Sequence, residues 1–395
     1  MPLGVYISVP FCRTKCSYCN FASDVFSRAV FERYVDRVCA DIESSRQVAA
    51  EMGGEIERAV DSIYLGGGTP TVLEVAQLER IFSTVRRQFA VSLDAEVTVE
   101  CAPGTLTSAM LESLLRCGVN RVSLGVQSFV DQEAAAVGRL HKRAIVLEDI
   151  SRLRAAGITN INIDLIAGLP HQTAESWQFS LAETIATGAG HVSVYMLEVD
   201  EDSRLGRELL AGGTRYHAHF VPEEEAMADF YLAAGERLSS AGIAQYEISN
   251  FARAGFESRH NLKYWTRRPY FGFGVDAHSM LASAAPDIDA VRFAPGDTLE
   301  QYMSGTSLQR TVVSRQAALE ESFFLGLRLT RGVSVNELAV EFGDEAVANA
   351  RAAVAELIDV GLMEQRGDHV CLTSRGRLLS NEVFERFILV DEVAR

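Results

Sequence analysis

The chain has 395 residues, enough for two or three domains, and 48% of them are hydrophobic, which is ample for a buried core. Its 37 basic and 53 acidic side chains leave a net charge of −16, which removes most of the electrostatic support a nucleic-acid partner would need. No uncharged apolar stretch reaches the roughly eighteen residues of a membrane span and no basic segment precedes an apolar one at the N-terminus, so a span and a signal peptide are excluded and a soluble, cytoplasmic protein is expected.

The first element, Val5-Tyr6-Ile7-Ser8-Val9, is an apolar, β-branched strand. It runs into Pro10-Phe11-Cys12-Arg13-Thr14-Lys15-Cys16-Ser17-Tyr18-Cys19-Asn20-Phe21, which carries three thiols at Cys-x3-Cys-x2-Cys spacing. With 7 cysteines in 395 residues, that spacing arises by accident about 0.002 times. A structural zinc usually takes four protein ligands, and no Cys or His lies between Cys19 and Cys39, so zinc needs a distant partner. A redox disulfide is the other alternative. A cuboidal iron–sulfur cluster held by three thiolates keeps one iron open, and the missing fourth ligand favours it. Seven cysteines with three packed together also fit a reducing compartment better than a secreted disulfide framework.

Apolar residues at helical spacing predict a helix from about Ser27 to Met52. A strand at Asp61-Ser62-Ile63-Tyr64-Leu65 ends abruptly in Gly66-Gly67-Gly68-Thr69-Pro70, with a helix from Val75 to Phe89. The alternation continues with a strand Glu96 to Cys101 and helix Leu106 to Cys117, a strand Arg121 to Gln127 and helices out to Ala156, and a strand Asn160 to Ile166 and helix Ala174 to Thr187. A sixth strand spans His191 to Leu197. Strand–helix repeats of this kind predict a parallel sheet with helices outside, curled by right-handed crossovers into a partial (β/α)6, TIM-like barrel of α/β class over residues 1–200. The thiols, the glycines, Glu100, Gln127 and Asp164 all fall at C-terminal strand ends, where barrel enzymes place their sites.

Over residues 201–314 the alternation fades, and an accessory segment covering the barrel's open side is expected. Residues 315–395 change character again. Helices at Leu319 to Leu329, Val335 to Phe342 and Ala346 to Val360 precede a hairpin turning at Arg366-Gly367-Asp368, the order of a winged-helix-like domain. Its third helix carries Glu345, Arg351, Glu356 and Asp359, so docking or lid duty is expected rather than groove reading.

Three successive glycines cost backbone entropy, so something must need the chain to pass close at Gly66–Gly68. Behind a three-cysteine loop, this edge resembles the radical SAM superfamily. That resemblance implies a 4Fe–4S cluster on Cys12, Cys16 and Cys19 and S-adenosylmethionine, one or two molecules, on its open iron and the glycine edge. His260-Asn261-Leu262-Lys263-Tyr264-Trp265 further resembles the His-Asn-x-x-Tyr-Trp signature of the HemW-type heme chaperones, relatives of the oxygen-independent coproporphyrinogen III oxidase. Gly125-Val126-Gln127-Ser128, Gly138-Arg139-Leu140-His141 and Asp164-Leu165-Ile166-Ala167-Gly168-Leu169-Pro170 carry the same resemblance along the chain.

What the resemblance implies is a protein that binds heme and passes it to an acceptor protein, without nucleic acid or membrane span and with peripheral membrane contact left open. Carried over by position, the adenosylmethionine residues are Tyr6, Tyr18, Gly67, Gly68, Thr69, Glu100, Gln127, Arg139, Asp164, Met196 and His278. His260 and His278 are the candidate axial heme ligands. The oxidase has a further cysteine where this chain has Phe21, and an extension ahead of the first strand, so coproporphyrinogen decarboxylation is disfavoured. A radical enzyme on the same scaffold, an oxidase or a two-adenosylmethionine methyltransferase, is the alternative.

Overall fold

The computed structural model describes residues 1–201 and 203–388. Six strands, β1 (Leu3–Val9), β2 (Ala59–Gly67), β3 (Ala90–Cys101), β4 (Arg121–Gln127), β5 (Asn160–Ala167) and β6 (His191–Met196), pair in parallel in sequence order. The α-helices between them run Arg28–Met52, Val75–Gln88, Ser108–Arg116, Asp131–Ala136, Arg143–Ala155 and Ala174–Ala186, close to the spans that the sequence predicts.

Side-chain alternation explains why this sheet curls round a polar centre. Val5, Ile7, Ile63, Leu65, Val97, Val99, Val122, Leu124, Ile161, Ile163, Val192 and Val194 point outward and pack with the helices in the main hydrophobic core. The residues between them, among them Tyr64, Glu100, Arg121, Ser123, Gln127, Asn162, Asp164, His191 and Ser193, point inward and line a cavity. TIM barrels are commonly filled by layers of branched apolar side chains. This one is polar inside, so its lumen is built for a ligand rather than for packing.

The sheet does not close. Its order is β12-β11-β10-β9-β1-β2-β3-β4-β5-β6-β8-β7, where β7 (Ala244–Gln245) and β8 (Asn250–Ala252) extend the β6 edge and β9 (Tyr270–Phe273), β10 (Ser279–Ala282), β11 (Ile288–Ala294) and β12 (Gln309–Ser314) extend the β1 edge. The segment expected as a cover therefore joins the sheet on both sides. The helix Arg259–Trp265 lies across the bottom of the barrel. The backbone N–H groups of Arg259 and His260 donate to Glu96 at 3.1 Å each, and Lys263 reaches the Pro2 carbonyl at 2.8 Å and Asp61 at 2.6 Å.

The C-terminal unit has three helices, Arg315–Gly326, Val335–Phe342 and Ala348–Asp359, then the hairpin β14 (Met363–Arg366) and β15 (His369–Leu372), with β13 (Val333–Ser334) as third strand. The hairpin turn holds Gly367 at φ 61°, where a glycine is at ease. This is the expected helix, helix, helix, hairpin order; the end of the 315–395 expectation, residues 389–395, lies outside the described residues. The unit is fastened to the barrel by Glu321, which pairs with Arg267 at 3.0 Å and Arg292 at 2.7 Å, and by Thr330, whose N–H donates to the Tyr246 carbonyl at 3.0 Å.

Candidate cofactor site

The three-cysteine loop is anchored by Phe11, which is fully buried and stacks on Phe31 at 4.0 Å with Tyr34 edge-on at 5.1 Å. Backbone bonds then hold the loop from several sides: Cys12 N–H to Asp24 O at 3.0 Å, Ser17 N–H to Val137 O at 3.1 Å and Thr69 N–H to Phe11 O at 2.8 Å. Lys15 closes it internally on the carbonyls of Ser23 and Phe21. Cys12, Cys16 and Cys19 are free thiols, partly exposed, on the wall of one cavity. Burial pushes the Cys12 thiol up, and the Thr69 hydroxyl, 3.8 Å from its sulfur, counteracts.

Among the described residues no group of three or more Cys, His, Asp or Glu side chains is placed to hold a single ion. A cuboidal cluster asks for something different, because each of three thiolates binds its own iron. Three part-exposed sulfurs around one cavity, with no fourth ligand among the described residues, fit the cluster and not a closed zinc site.

Beside the thiols, the glycine edge explains itself by close approach. A Cβ at Gly68 would sit 2.5 Å from the Val9 carbonyl, and one at Gly66 would sit 2.7 Å from the Glu100 carboxylate. Gly67, at φ 91°, donates its N–H to Glu100 at 3.2 Å, and the Tyr64 hydroxyl donates to the other oxygen at 2.8 Å. Burial, helped by the charge of Asp164, pushes the Glu100 carboxyl up to about 7. Burial also raises Asp164, against the hydrogen bonds it accepts from Ser123 and Asn162.

Gln127 adopts φ 70°, a strained conformation for a side chain other than glycine, and its buried Oε1 has no partner. The buried Nε of Arg139 is likewise unpartnered, and the guanidinium lies against Gly125, where a Cβ would come within 2.7 Å. Buried polar groups normally find partners. An acceptor, a guanidinium and two carboxylates around one space suit an amino acid joined to a nucleoside, with its own carboxylate, ammonium and hydroxyls.

Of the residues expected from sequence, Cys12, Cys16, Cys19, Tyr18, Gly67, Gly68, Thr69, Glu100, Gln127, Arg139, Asp164 and Met196 line this single cavity. Tyr6, His260 and His278 do not. The Tyr6 ring packs beside Tyr64 and His260 at 6.2 and 6.4 Å. His260 is 1% exposed, with Nδ1 3.0 Å from the Ser62 hydroxyl and Nε2 2.9 Å from the Tyr264 hydroxyl. Burial and the nearby Lys263 ammonium push its imidazole down to about 3, so it stays neutral. Iron ligation by His260 would have to break one of those two bonds. His278 is exposed, with its ring 3.5 Å from Asp276.

Sequence reasoning missed Arg121, Asn162, His191 and Ser193 inside the barrel, and Arg328 on the far wall. Strict alternation of polar and apolar residues along the middle strands was the signal that carried the first four. The cavity measures about 810 Å³ and extends from the thiols at the C-terminal strand ends to Arg121, the first residue of β4, and to Arg377–Glu382 of the C-terminal unit.

Residues 6–182 match the radical SAM superfamily model, and residues 313–379 match the HemN C-terminal domain. The heme chaperone HemW of Bacillus subtilis is 34% identical over 98% of this chain and 99% of its own. That of Lactococcus lactis is 32% identical over 99% and 98%, and that of Escherichia coli 30% over 98% of each. Among solved structures, the coproporphyrinogen III oxidase HemN of Escherichia coli, described as a radical SAM enzyme, superposes with a TM-score of 0.82 at 24% identity, covering 98% of this chain and 90% of that one.

Proposed function

The chain belongs to the HemW-type heme chaperones of the radical SAM superfamily, and from that premise we propose that it takes up one heme per chain and hands it to an acceptor protein. The observation that carries the proposal is the near-complete overlap with relatives named for heme handling, on a chain whose cavity reaches from three thiols to the C-terminal unit. Cys12, Cys16 and Cys19 would hold a 4Fe–4S cluster. Glu100, Gln127, Arg139 and Asp164, with the Gly67–Thr69 edge, would hold adenosylmethionine. Bound together, cluster and adenosylmethionine supply one-electron cleavage of the sulfonium.

The chain's own contribution is positioning and proton control. Arg139 offers a two-pronged donor to a carboxylate. Glu100, protonated up to about pH 7, would give up its proton when an ammonium comes to sit against it. The Thr69 hydroxyl holds the Cys12 sulfur toward the cavity. The apolar sheath outside the strands backs the polar lumen with the main hydrophobic core.

Titration of anaerobically reconstituted protein with heme, followed by the Soret band, is expected to saturate near one equivalent. No uptake would remove the chaperone proposal. Coproporphyrinogen supplied with adenosylmethionine and reductant is expected to remain undecarboxylated.

A further inference from the structure

The end of the cavity away from the thiols has a chemistry of its own. Arg121 is 2% exposed on the cavity wall, and neither its Nε nor its Nη1 has a hydrogen-bond partner. Its one ion-pair neighbour among the described residues is Glu96, 3.8 Å from Nε. That carboxylate is already committed, with one oxygen on the N–H of Arg259 and the other on the N–H of His260. A guanidinium carries five N–H donors, and leaving them unmet in a buried place is costly.

Arg328 faces the same space from the C-terminal side. Its guanidinium lies 4.3 Å from the centre of the Trp265 ring, which fixes its plane without using its donors, and its buried Nε is also unpartnered. No carboxylate among the described residues lies within ion-pair distance of it. Glu247, whose charge it does feel, is fully buried; the N–H of Ser249 and the side chain of Asn250 both donate to its Oε1, and its Oε2 has no hydrogen-bond partner. Tyr246 lies between the strand side and the C-terminal unit: its hydroxyl meets His191 at 2.8 Å, it feels the charge of Arg121, and its carbonyl accepts the N–H of Thr330, two residues beyond Arg328.

Glu100 and Asp164 share the thiol side of the cavity with Arg139, Asp164 also lying within the field of Arg121, and away from the thiols Arg121 and Arg328 leave guanidinium nitrogens without a partner. We propose that Arg121 and Arg328 form a carboxylate-reading subsite that grips the propionates of the bound tetrapyrrole. The inference rests on the heme proposal above and deepens it by orienting the ligand: its acidic edge faces the junction between β4 and the C-terminal unit, and its apolar edge faces the mouth, where Leu140 and Met196 are exposed.

The test compares heme with heme dimethyl ester, each titrated in the same detergent into reconstituted wild type, Arg328→Gln and Arg121→Gln, with adenosylmethionine binding measured in parallel. Wild type should favour the free acid about tenfold or more, the scale of one charge-assisted hydrogen bond. Arg328→Gln should shrink that preference while leaving the ester's affinity and adenosylmethionine binding unchanged. Arg121→Gln serves as the second variant, and Arg328→Gln, at a part-exposed site, keeps the test alive if the buried change prevents folding. Equal affinity of wild type for acid and ester, or an unchanged preference in Arg328→Gln, overturns the subsite while leaving heme uptake standing. Loss of adenosylmethionine binding in step with heme also overturns it. Failure of wild type to take up either compound overturns the heme proposal itself.

Discussion

At the scale of single residues, the site divides into groups fixed by bonding and groups left with unmet bonds. Cys16 belongs to a loop whose neighbours are tied by backbone hydrogen bonds, so Cys16→Ala should fold and yet hold almost no iron. Iron and sulfide content after anaerobic reconstitution checks this, and a wild-type value would contradict it. Glu100 gives a pH prediction. Its carboxyl is raised in the fold to about 7 from an ordinary value near 4.3. Between those values the folded chain therefore keeps a proton that the unfolded chain has lost. The stabilising contribution is full below the unfolded value and disappears as pH rises through about 7. The denaturation midpoint of the ligand-free protein should fall from pH 5 to pH 8, and Glu100→Gln should flatten that slope. A midpoint slope identical in both proteins would show that Glu100 does not titrate there.

At the scale of elements, the helix Arg259–Trp265 is the least expected piece. Its His-Asn-x-x-Tyr-Trp stretch stands out in the sequence, yet what the structure shows it doing is closing the barrel floor. Lys263 is 3% exposed and pairs with Asp61 at 2.6 Å, so Lys263→Met leaves a carboxylate short of its partner at a cost of about 3 kcal/mol. Urea midpoints should show the loss, with Asp61→Leu added to Lys263→Met recovering part of it. Additive losses would mean that the pair does not couple. His260 lies on the same helix, between Ser62 and Tyr264, so its replacement should disturb this floor as well as any ligand beside it.

At the scale of the whole molecule, the cavity is made by two parts of the chain, the barrel strands and the C-terminal unit. Glu321 holds two arginines of the barrel side while itself buried, so Glu321→Ala leaves Arg292 without its carboxylate and Arg267 with Asp289 alone, and loosens the junction. Faster proteolysis near residues 305–314 and weaker heme uptake should follow, with cluster content unchanged; loss of the cluster as well would mean the two ends of the cavity are not separable. No helix among the described residues is long and apolar enough to cross a membrane.

What the sequence determined by itself was whatever depends on neighbours along the chain. The three-thiol spacing, the glycine edge after β2 and the alternation of strands and helices are local patterns, and strand ends such as Arg121 and Gln127 fall where periodicity put them. The polar face of each strand was equally legible, because a period of two puts Arg121, Ser123, Gly125 and Gln127 on one side. Only tertiary structure decided which polar residues stay unmet. Arg121 and Glu96 come from different strands, Arg328 and Trp265 from different ends of the molecule, and whether a donor is satisfied depends on atoms distant in sequence. The same reason separates His260 from the cavity: its spacing within the motif is local, but the hydroxyl of Ser62 that occupies its ring arrives from a strand nearly two hundred residues earlier.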